Sequence, residues 1–188
     1  MTTTVVSDWM GEDCLSPYAP HFNWLTKPPI LTKALAAVYR NPVSVEVLSQ
    51  SFSQLEEDEC LTPENRFGLL REVFLITEQA PQVYARVTIA NPHQELISRF
   101  TLLGNRPLGQ TLLYNNPQIV RSRFTYRYFP CFRLGESTKH PDFCDGALWA
   151  RRSTFSWHEA QIMVSEYFSP TIKDYDIPVV SGVVSSAS

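Results

Sequence analysis

Two charged residues stand where the sequence pattern calls for apolar ones, and their types could bind an anion and move a proton. Side chains alternate between the two faces of a β-strand. In one predicted strand, Arg71 shares its face with Leu69 and Val73, and in another Glu166 shares its face with Val164. Charged side chains are seldom buried unless they are paired or functional. Arg71 and Glu166 are therefore the candidate catalytic residues.

The residues alone leave two interpretations of these charges open. In the structural one, Arg71 and Glu166 pair with each other or with nearby groups as a buried ion pair. In the functional one, they line a closed apolar pocket for an anionic ligand. The planar guanidinium of Arg71 would then bind a carboxylate, and Glu166 would assist a proton transfer.

Other side chains with possible chemistry form no convincing motif. The four histidines, His21, His93, His140 and His158, are scattered without the i,i+4 spacing of metal ligands, so no metal site is expected. No nucleotide-binding glycine motif and no Gly-x-Ser-x-Gly motif is present. Each histidine is interpreted as a surface or loop residue.

Three arginines alternate with aromatic residues, which is a pattern that an RNA-binding strand can show. Arg121, Arg123 and Arg127 have one parity, and Phe124 and Tyr126 have the other. The formal net charge of −3 gives no support to a nucleic-acid partner. The preferred interpretation is a solvated strand face opposite a buried aromatic face.

The composition is that of one ordinary globular domain. The chain has 188 residues, of which 44% are hydrophobic and 19% charged. That apolar fraction excludes wholesale disorder, and the 7 glycines exclude a collagen. We expect a single domain over residues 1–188 with its core at about 22–170, and loose termini at 1–16 and 171–188.

The sequence carries no signal for export or membrane insertion. The first residues lack the basic and apolar regions of a signal peptide, and no run reaches the length of a membrane span. The four cysteines form no Cys-x-x-Cys pair, which favours reduced thiols and a cytoplasmic location. Cys131 and Cys144 flank one predicted loop and could pair if the protein were exported.

The elements that must position the two charges are mostly strands. Alternating or β-branched segments predict strands at 43–47, 67–78, 82–90, 118–129, 147–157 and 161–168, with the second and third and the last two as hairpins. Apolar residues at helical spacing predict helices at 31–40 and 93–103, and a helix or turn follows residue 107. The acidic run 56–59 and the segment 130–146 are predicted as loops. Adjacent strand pairs with helices between them predict an α+β fold with an antiparallel sheet.

Several short segments, in their order and spacing, resemble the chorismate lyase (chorismate pyruvate-lyase) family. The resemblance covers about residues 22–170. Its landmarks are Trp-Leu at 24–25, Leu-Thr-Lys at 31–33, Leu-Arg-Glu-Val at 70–73, Leu-Gly-Asn-Arg-Pro-Leu-Gly at 103–109, Leu-Trp-Ala-Arg-Arg-Ser at 148–153 and Ser-Glu-Tyr-Phe-Ser-Pro at 165–170. Each is only moderately specific, and together they are much more so.

The resemblance implies a fold and a set of site residues. The family has a six-stranded antiparallel sheet with flap-like helical segments over a buried ligand pocket. Its carboxylate-binding arginine falls on Arg71 and its essential glutamate on Glu166, the two charges that strand parity singles out. Its ligand-binding backbone groups fall on Leu31 and Leu108.

The chain also departs from the family pattern. Leu31 stands where the family often has Met, which is a mild change because the backbone makes the contact. The family's Gly-Arg-Thr-Val-Val-Pro stretch is Ala-Arg-Val-Thr-Ile-Ala at 85–90, and the 130–146 loop and the tail are longer. These changes affect packing beside the site and lid behaviour rather than the chemistry.

The activity implied by the resemblance is conversion of chorismate to 4-hydroxybenzoate and pyruvate, an early step of ubiquinone or plastoquinone biosynthesis. No cofactor or metal is implied, and the expected enzyme is a cytoplasmic monomer without a nucleic-acid partner or stable membrane insertion. Arg71 would hold the ring carboxylate, Glu166 would assist the elimination, and release of the aromatic product would limit turnover.

Two rival functions remain. The first is a non-catalytic sensor of aromatic acids, because the same fold resembles the ligand-binding half of GntR-type regulators. Only about 20 residues precede the matched region, which is too few for a DNA-binding domain. The second is an interaction protein that has lost the site, and the presence of both Arg71 and Glu166 argues against it.

Overall fold

The computed structural model describes residues 8–60, 66–114, 116–132, 134, 140–144 and 146–174. Within these ranges seven strands are formed: β1 (Ser44–Gln54), β2 (Phe67–Thr77), β3 (Ala80–Ala90), β4 (Val120–Arg121), β5 (Thr125–Phe132), β6 (Gly146–Trp157) and β7 (Ala160–Phe168). The helices are α1 (Phe22–Thr26), α2 (Leu31–Tyr39), α3 (Gln94–Thr101) and α4 (Pro141–Cys144). Short 3₁₀ turns lie at Glu12–Cys14 and Glu57–Glu59, and a π-helical turn at Gly109–Leu113.

The strands form one antiparallel sheet, so the predicted α+β class is confirmed. The order is β1-β2-β3-β7-β6, and β6 pairs at its far edge with both β4 and β5. The two predicted hairpins are present as β2–β3 and β6–β7. Because β7 enters the sheet beside β3, the strand of Arg71 and the strand of Glu166 are separated only by β3.

The helices begin and end where local chemistry requires it. Helix α2 ends at Arg40, which has a φ of 51° and is followed by Asn41 and Pro42. Helix α3 starts after His93, whose side chain accepts a hydrogen bond from the N–H of Leu96. These boundaries agree with the helices predicted at 31–40 and 93–103, whose ends fray by a residue or two.

The predicted third long strand is wrong in part. Pairing with β6 stops after Arg121 and resumes at Thr125, so the predicted strand 118–129 becomes β4 and β5. In the gap, the Ser122 N–H donates to Thr154 O, and the Ser122 hydroxyl accepts from the Thr154 N–H. This break accounts for seven strands where about six were expected.

The solvated arginine face predicted for this region is also wrong. Arg121 is 9% exposed and donates to the carbonyl of Pro29, whereas Arg123 is exposed and Arg127 pairs with Asp8. The break at 122–124 destroys the parity on which the interpretation rested, and the three arginines share no common face.

The acidic run 56–59 is not the solvated loop that its composition predicts. Glu59 is 4% exposed and pairs with Arg86 at 2.7 Å. Asp58 pairs with Arg152 at 2.7 Å. Both arginines project from the back of the sheet, the face opposite Arg71 and Glu166, so the run docks there through two ion pairs.

The described parts of both termini are packed rather than loose. Met10 makes a two-way backbone bridge with Tyr126, and Leu15 is buried. At the other end, Ile172 is buried and the carbonyl of Lys173 accepts a hydrogen bond from the Trp24 indole. Residues 1–7, 175–188 and much of the predicted 130–146 loop lie outside the described residues. The described part of that loop holds the end of β5 and all of α4.

Three apolar clusters surround the sheet. The first packs α1 and α2 on the front face, the second packs α3 and the 109–113 turn on the same face, and the third lies on the back around Phe74, Phe143 and Tyr167. The two front clusters meet over β2, β3 and β7 without merging. Their junction is where the candidate site lies.

We predict that Asp58→Asn lowers the free energy of unfolding at pH 7 by about 1–3 kcal/mol, the cost of leaving a buried polar partner unpaired. Burial alone would raise the pKa of Asp58, but the attraction and hydrogen bond of Arg152 and a bond from Trp9 outweigh it, so the pKa is lowered. The stabilisation is therefore complete above the unfolded-chain pKa of about 3.9 and is lost as pH falls further.

Denaturant unfolding at pH 7 and pH 3 measures this effect. The variant should lose less stability than the wild type between the two pH values. Glu95→Gln is the control, because Glu95 forms an exposed ion pair with Arg99. Equal losses in both variants at pH 7 would contradict the role given to Asp58.

Candidate active site

A cavity lies between the centre of the sheet and two helical segments. Its floor is β2, β3 and β7, and its cover is the start of α2 and the turn at 107–114. The empty space amounts to about 570 Å³, a figure that includes the open space at its mouth. The walls are largely apolar, with Val45, Val73, Leu75, Ala85, Val87, Leu113 and Val164 among them.

All four residues expected in the site line this one cavity: Arg71, Glu166, Leu31 and Leu108. Arg71 is opposite Val87 of β3, and Glu166 is opposite Ala85 of the same strand. Two strand spacings separate their backbones by about 10 Å across the sheet, and a two-residue offset adds about 7 Å along it. The structure therefore places a cation and an anion at two ends of a single apolar space.

Arg71 is buried without a carboxylate partner among the described residues. It is 2% exposed, and its guanidinium donates to Gln50 Oε1 and, at 2.7 Å, to the carbonyl of Gly104. Burial lowers the pKa of Arg71 because the charged form loses solvation. A buried guanidinium with neutral partners alone attracts an anion strongly.

Glu166, in contrast, is paired. Its Oε2 accepts a hydrogen bond of 2.5 Å from Nε of Arg151, the residue directly opposite it on β6. Within the described residues no donor reaches Oε1, and the side chain lines the cavity. The structural interpretation of the two charges is thus correct for Glu166, with Arg151 as the partner, whereas no described carboxylate pairs with Arg71.

Strand pairing already contained a signal for Arg151. If the last hairpin has a two-residue loop at 158–159, counting back from Trp157 and Ala160 places Arg151 opposite Glu166. Arg151 is fully buried, and so are Ala150 and Ser153 nearby on the same strand. The sequence interpretation used Arg151 as a family landmark and overlooked this pairing.

Arg121 is a second residue that sequence reasoning missed. Its guanidinium lies over the ring of Phe124, 4.2 Å from the centroid, and donates to Pro29 O and to the Ser153 hydroxyl. Burial lowers the pKa of Arg121. Irregular pairing at 122–124 hides this inward position from strand parity, so no simple sequence signal could have found it.

The cover of the cavity is built from the first turns of two helical segments. Leu31 is the first residue of α2, and Leu108 immediately precedes the turn at Gly109–Leu113. The first N–H groups of a helical segment have no acceptor inside it. Two such groups beside a cavity that contains an unpaired guanidinium favour an anion.

Tyr114 closes one wall and leaves no room for a side chain at position 109. A Cβ on Gly109 would lie 2.3 Å from the Tyr114 ring, so the close approach requires glycine. Tyr114 also packs edge-on against Phe155. Burial raises the pKa of Tyr114, so its phenol stays neutral near physiological pH.

The two halves of the cover are joined across the mouth. Gln110 Nε2 donates to the hydroxyl of Thr32 at 3.0 Å, and both residues are at least partly exposed. Gln110 comes from the second front cluster's segment and Thr32 from the first. A hydrogen bond in this position favours the closed cover. Because one such bond contributes little net free energy, opening the cover costs little.

Comparison with known proteins identifies the family. The model of the family described as "Chorismate lyase" matches residues 5–178. The chain belongs to the chorismate lyase family. A Nitrosospira multiformis protein named "Probable chorismate pyruvate-lyase" is 31% identical over 92% of this chain and 98% of its own length. An Azoarcus sp. protein of the same name is 35% identical over 79% of this chain and 83% of its own length.

Among solved structures, a GntR-family transcriptional regulator from Bacillus cereus aligns with 71% of this chain and 96% of its own. The TM-score is 0.41 and the identity 10%, values at which the likeness carries no argument. Family membership therefore rests on sequence. No helix within the described ranges is long and apolar enough to cross a membrane. No cluster of three potential metal-binding side chains occurs in the same ranges.

For this member of the chorismate lyase family we predict that Gln110→Ala opens the cover more often. Loss of a net contribution of about 1 kcal/mol should raise hydrogen exchange of the amides in 31–35 and 109–113 about fivefold. Exchange followed by mass spectrometry measures it, with the exposed Gln118→Ala as control. Unchanged exchange in both segments would show that this hydrogen bond does not hold the cover.

Proposed function

We propose that this protein is a chorismate pyruvate-lyase in which Arg71 binds the ring carboxylate of the substrate and Glu166 acts on the opposite side of the ring. One observation carries the proposal: an arginine and a glutamate stand at two ends of one apolar cavity, and no described carboxylate pairs with the arginine and no described donor reaches Oε1 of the glutamate. Membership of the chorismate lyase family supports the same assignment.

The assignment gives each group a task that its surroundings suit. Arg71 can offer its planar guanidinium to the ring carboxylate, helped by the N–H groups of Leu31 and Leu108. Oε1 of Glu166 can accept a hydrogen bond from the ring hydroxyl. These contacts fix the ring between two ends, and the apolar walls exclude water from it.

The reaction breaks one C–H and one C–O bond. A proton leaves C4 of the ring, the bond between C3 and the enolpyruvyl oxygen breaks, and the ring becomes aromatic. The departing enolpyruvate gains a proton and becomes pyruvate. Glu166, held by Arg151, is the group positioned to assist this proton movement. Because aromatisation drives the reaction, orientation of the ring is the main demand on the protein.

We further propose that the 4-hydroxybenzoate produced enters quinone biosynthesis, which is the role that the family implies. A cytoplasmic location, a monomeric state and the lack of a nucleic-acid partner stay predictions from the sequence.

A direct assay tests the function. Purified protein is mixed with chorismate, and 4-hydroxybenzoate and pyruvate are measured by chromatography and by a coupled pyruvate assay. Both products should form in equal amounts, and heat-unfolded protein should give neither above the uncatalysed rate. If folded protein binds 4-hydroxybenzoate but forms no product, the alternative of a non-catalytic sensor of aromatic acids is supported instead.

We expect Glu166→Gln to lower kcat by about 10²- to 10⁴-fold, the usual contribution of a positioned acid or base. Affinity for 4-hydroxybenzoate should fall far less than kcat, because an amide still offers a hydrogen-bond acceptor to the hydroxyl. Steady-state kinetics and calorimetric titration measure the two effects.

Glu72→Gln is the matched control for Glu166→Gln. Glu72 is a partly buried carboxylate on the back of the sheet that pairs with Arg86 at 3.0 Å. Its replacement also removes one charge from an ion pair, but kcat should stay near that of the wild type. Near-normal turnover in Glu166→Gln would rule out the proposed role.

We expect Arg71→Ala to weaken 4-hydroxybenzoate binding by about 1.5–3 kcal/mol, the contribution of a charge-assisted hydrogen bond. Calorimetric titration of the variant against the wild type gives the difference. Arg152→Ala serves as control, because Arg152 is similarly buried but lies on the back face. An equal loss of affinity in both variants would indicate general destabilisation rather than a ligand contact.

A further inference from the structure

The segment that leads into the cover, residues 24–29, has an unusual shortage of hydrogen-bond donors. It contains the end of α1 and two consecutive prolines, Pro28 and Pro29, which have no N–H. The last carbonyls of a helix also lack partners inside it. Trp24, Leu25 and Pro28 are buried, so their carbonyl groups must find donors elsewhere in the protein.

Arg151 supplies those donors. Its Nη1 lies 2.8 Å from the carbonyl oxygen of Pro28, 3.2 Å from that of Trp24 and 3.3 Å from that of Leu25. The side chain is 0% exposed. The Nε atom of the same guanidinium holds Glu166 at 2.5 Å. One planar group thus binds the cavity carboxylate on one side and the carbonyls of the entry segment on the other.

We propose that Arg151 is the positioning residue of the site: it fixes the carboxylate of Glu166 and ties it to the segment 24–29, so that the cover and the carboxylate are held in one arrangement. The role in turnover rests on the proposed lyase function. The physical coupling between Glu166 and the entry segment does not, because it follows from hydrogen bonds in the ligand-free protein.

Arg121 strengthens the same segment from the neighbouring strand. Its Nη1 lies 2.5 Å from the carbonyl of Pro29, and its Nε donates to Ser153 at 3.1 Å. The Phe124 ring lies against both guanidinium groups, with centroid distances of 4.2 Å to Arg121 and to Arg151. Pro28 and Pro29 are therefore each held by one arginine, three and two residues before α2 begins.

The charge of Arg151 determines how a change at Glu166 affects the entry segment. With Glu166 ionised, Arg151 is compensated, and the guanidinium stays where it also reaches the carbonyls. If the carboxylate is replaced by a neutral amide, a buried cation loses its counterion. It must then shift or hydrate, and either change loosens the carbonyls of 24–28. Binding of a ligand at Glu166 and closure of α2 over it are linked for the same reason, and linkage of this kind is reciprocal.

Arg152 provides a matched comparison on the same strand. It is adjacent in sequence, 8% exposed, and paired with Asp58 at 2.7 Å, but it lies on the opposite face of the sheet. Replacing either arginine by lysine keeps the positive charge and removes the planar group that can bond in two directions. A purely structural role predicts similar effects of the two changes, whereas positioning predicts different ones.

The test compares Arg151→Lys with Arg152→Lys by kinetics, thermal unfolding and hydrogen exchange. For Arg151→Lys we expect kcat with chorismate to fall about 10- to 100-fold, as misplacement of a reacting group does, with a smaller change in KM. Amide exchange of residues 25–27 and 30–31 should rise at the same time. Arg152→Lys should lower the melting temperature but leave kcat and these amides near wild-type values. Equal kcat in the two variants would overturn the proposal.

A second arm needs no activity and leaves Arg151 in place. In ligand-free Glu166→Gln, exchange of the amides in 25–27 and 30–31 should rise several-fold, and in Glu72→Gln it should not. This arm decides the matter if Arg151→Lys fails to fold, and unchanged exchange in Glu166→Gln overturns the coupling. If wild-type protein does not convert chorismate, the proposed function fails, and the exchange result still stands for or against the coupling.

Discussion

Opposite charges can be buried in the middle of a sheet only if each is compensated, and the pair formed by Arg151 and Glu166 meets that condition. The pair bridges β6 and β7 at 2.5 Å, and Nη1 of Arg151 reaches the carbonyls of the entry segment. Without this cation, the carboxylate would lie beside an apolar cavity with no counterion, which is costly. The position of Glu166 and the course of residues 24–28 therefore depend on the same guanidinium, while Arg121 holds Pro29 just before α2.

The two faces of the sheet use charge in different ways. On the back, Arg86 bonds both Glu59 and Glu72, and Asp58 pairs with Arg152, so both arginines are neutralised by carboxylates and hold the 56–59 run in place. On the front, Arg71 is left with an amide oxygen and a backbone carbonyl. Neutral acceptors solvate a guanidinium without neutralising it. The front face therefore keeps a positive charge that an anionic ligand can neutralise. The difference between a structural arginine and a binding arginine lies in the partner rather than in burial.

A site residue could be placed on the correct face of the sheet from sequence only where its strand is regularly paired. Arg71 and Glu166 lie in uninterrupted stretches of β2 and β7, and their parity alone placed them correctly on the cavity. Arg151 was equally accessible through the hairpin register, since the two-residue loop puts it opposite Glu166. Arg121 was not, because the chain leaves the sheet at 122–124 and the parity is lost. The buried acidic turn was also out of reach, since its partners Arg86 and Arg152 come from strands distant in sequence.

The cavity exists because two apolar clusters on the front face meet without merging. Leu31 belongs to the cluster around α1 and α2, and Leu108 to the cluster around α3 and the 109–113 turn. Each half of the cover is therefore anchored in its own core, and the hydrogen bond from Gln110 to Thr32 spans the boundary between them. When the two halves of the cover separate, the cavity is exposed and the packing inside each cluster is kept. Close-packed side chains within a cluster resist deformation, whereas the boundary between the two clusters is less tightly packed. A closed site for a small aromatic acid can thus open at little cost, provided that Arg151 and Arg121 keep the entry segment in place while it does.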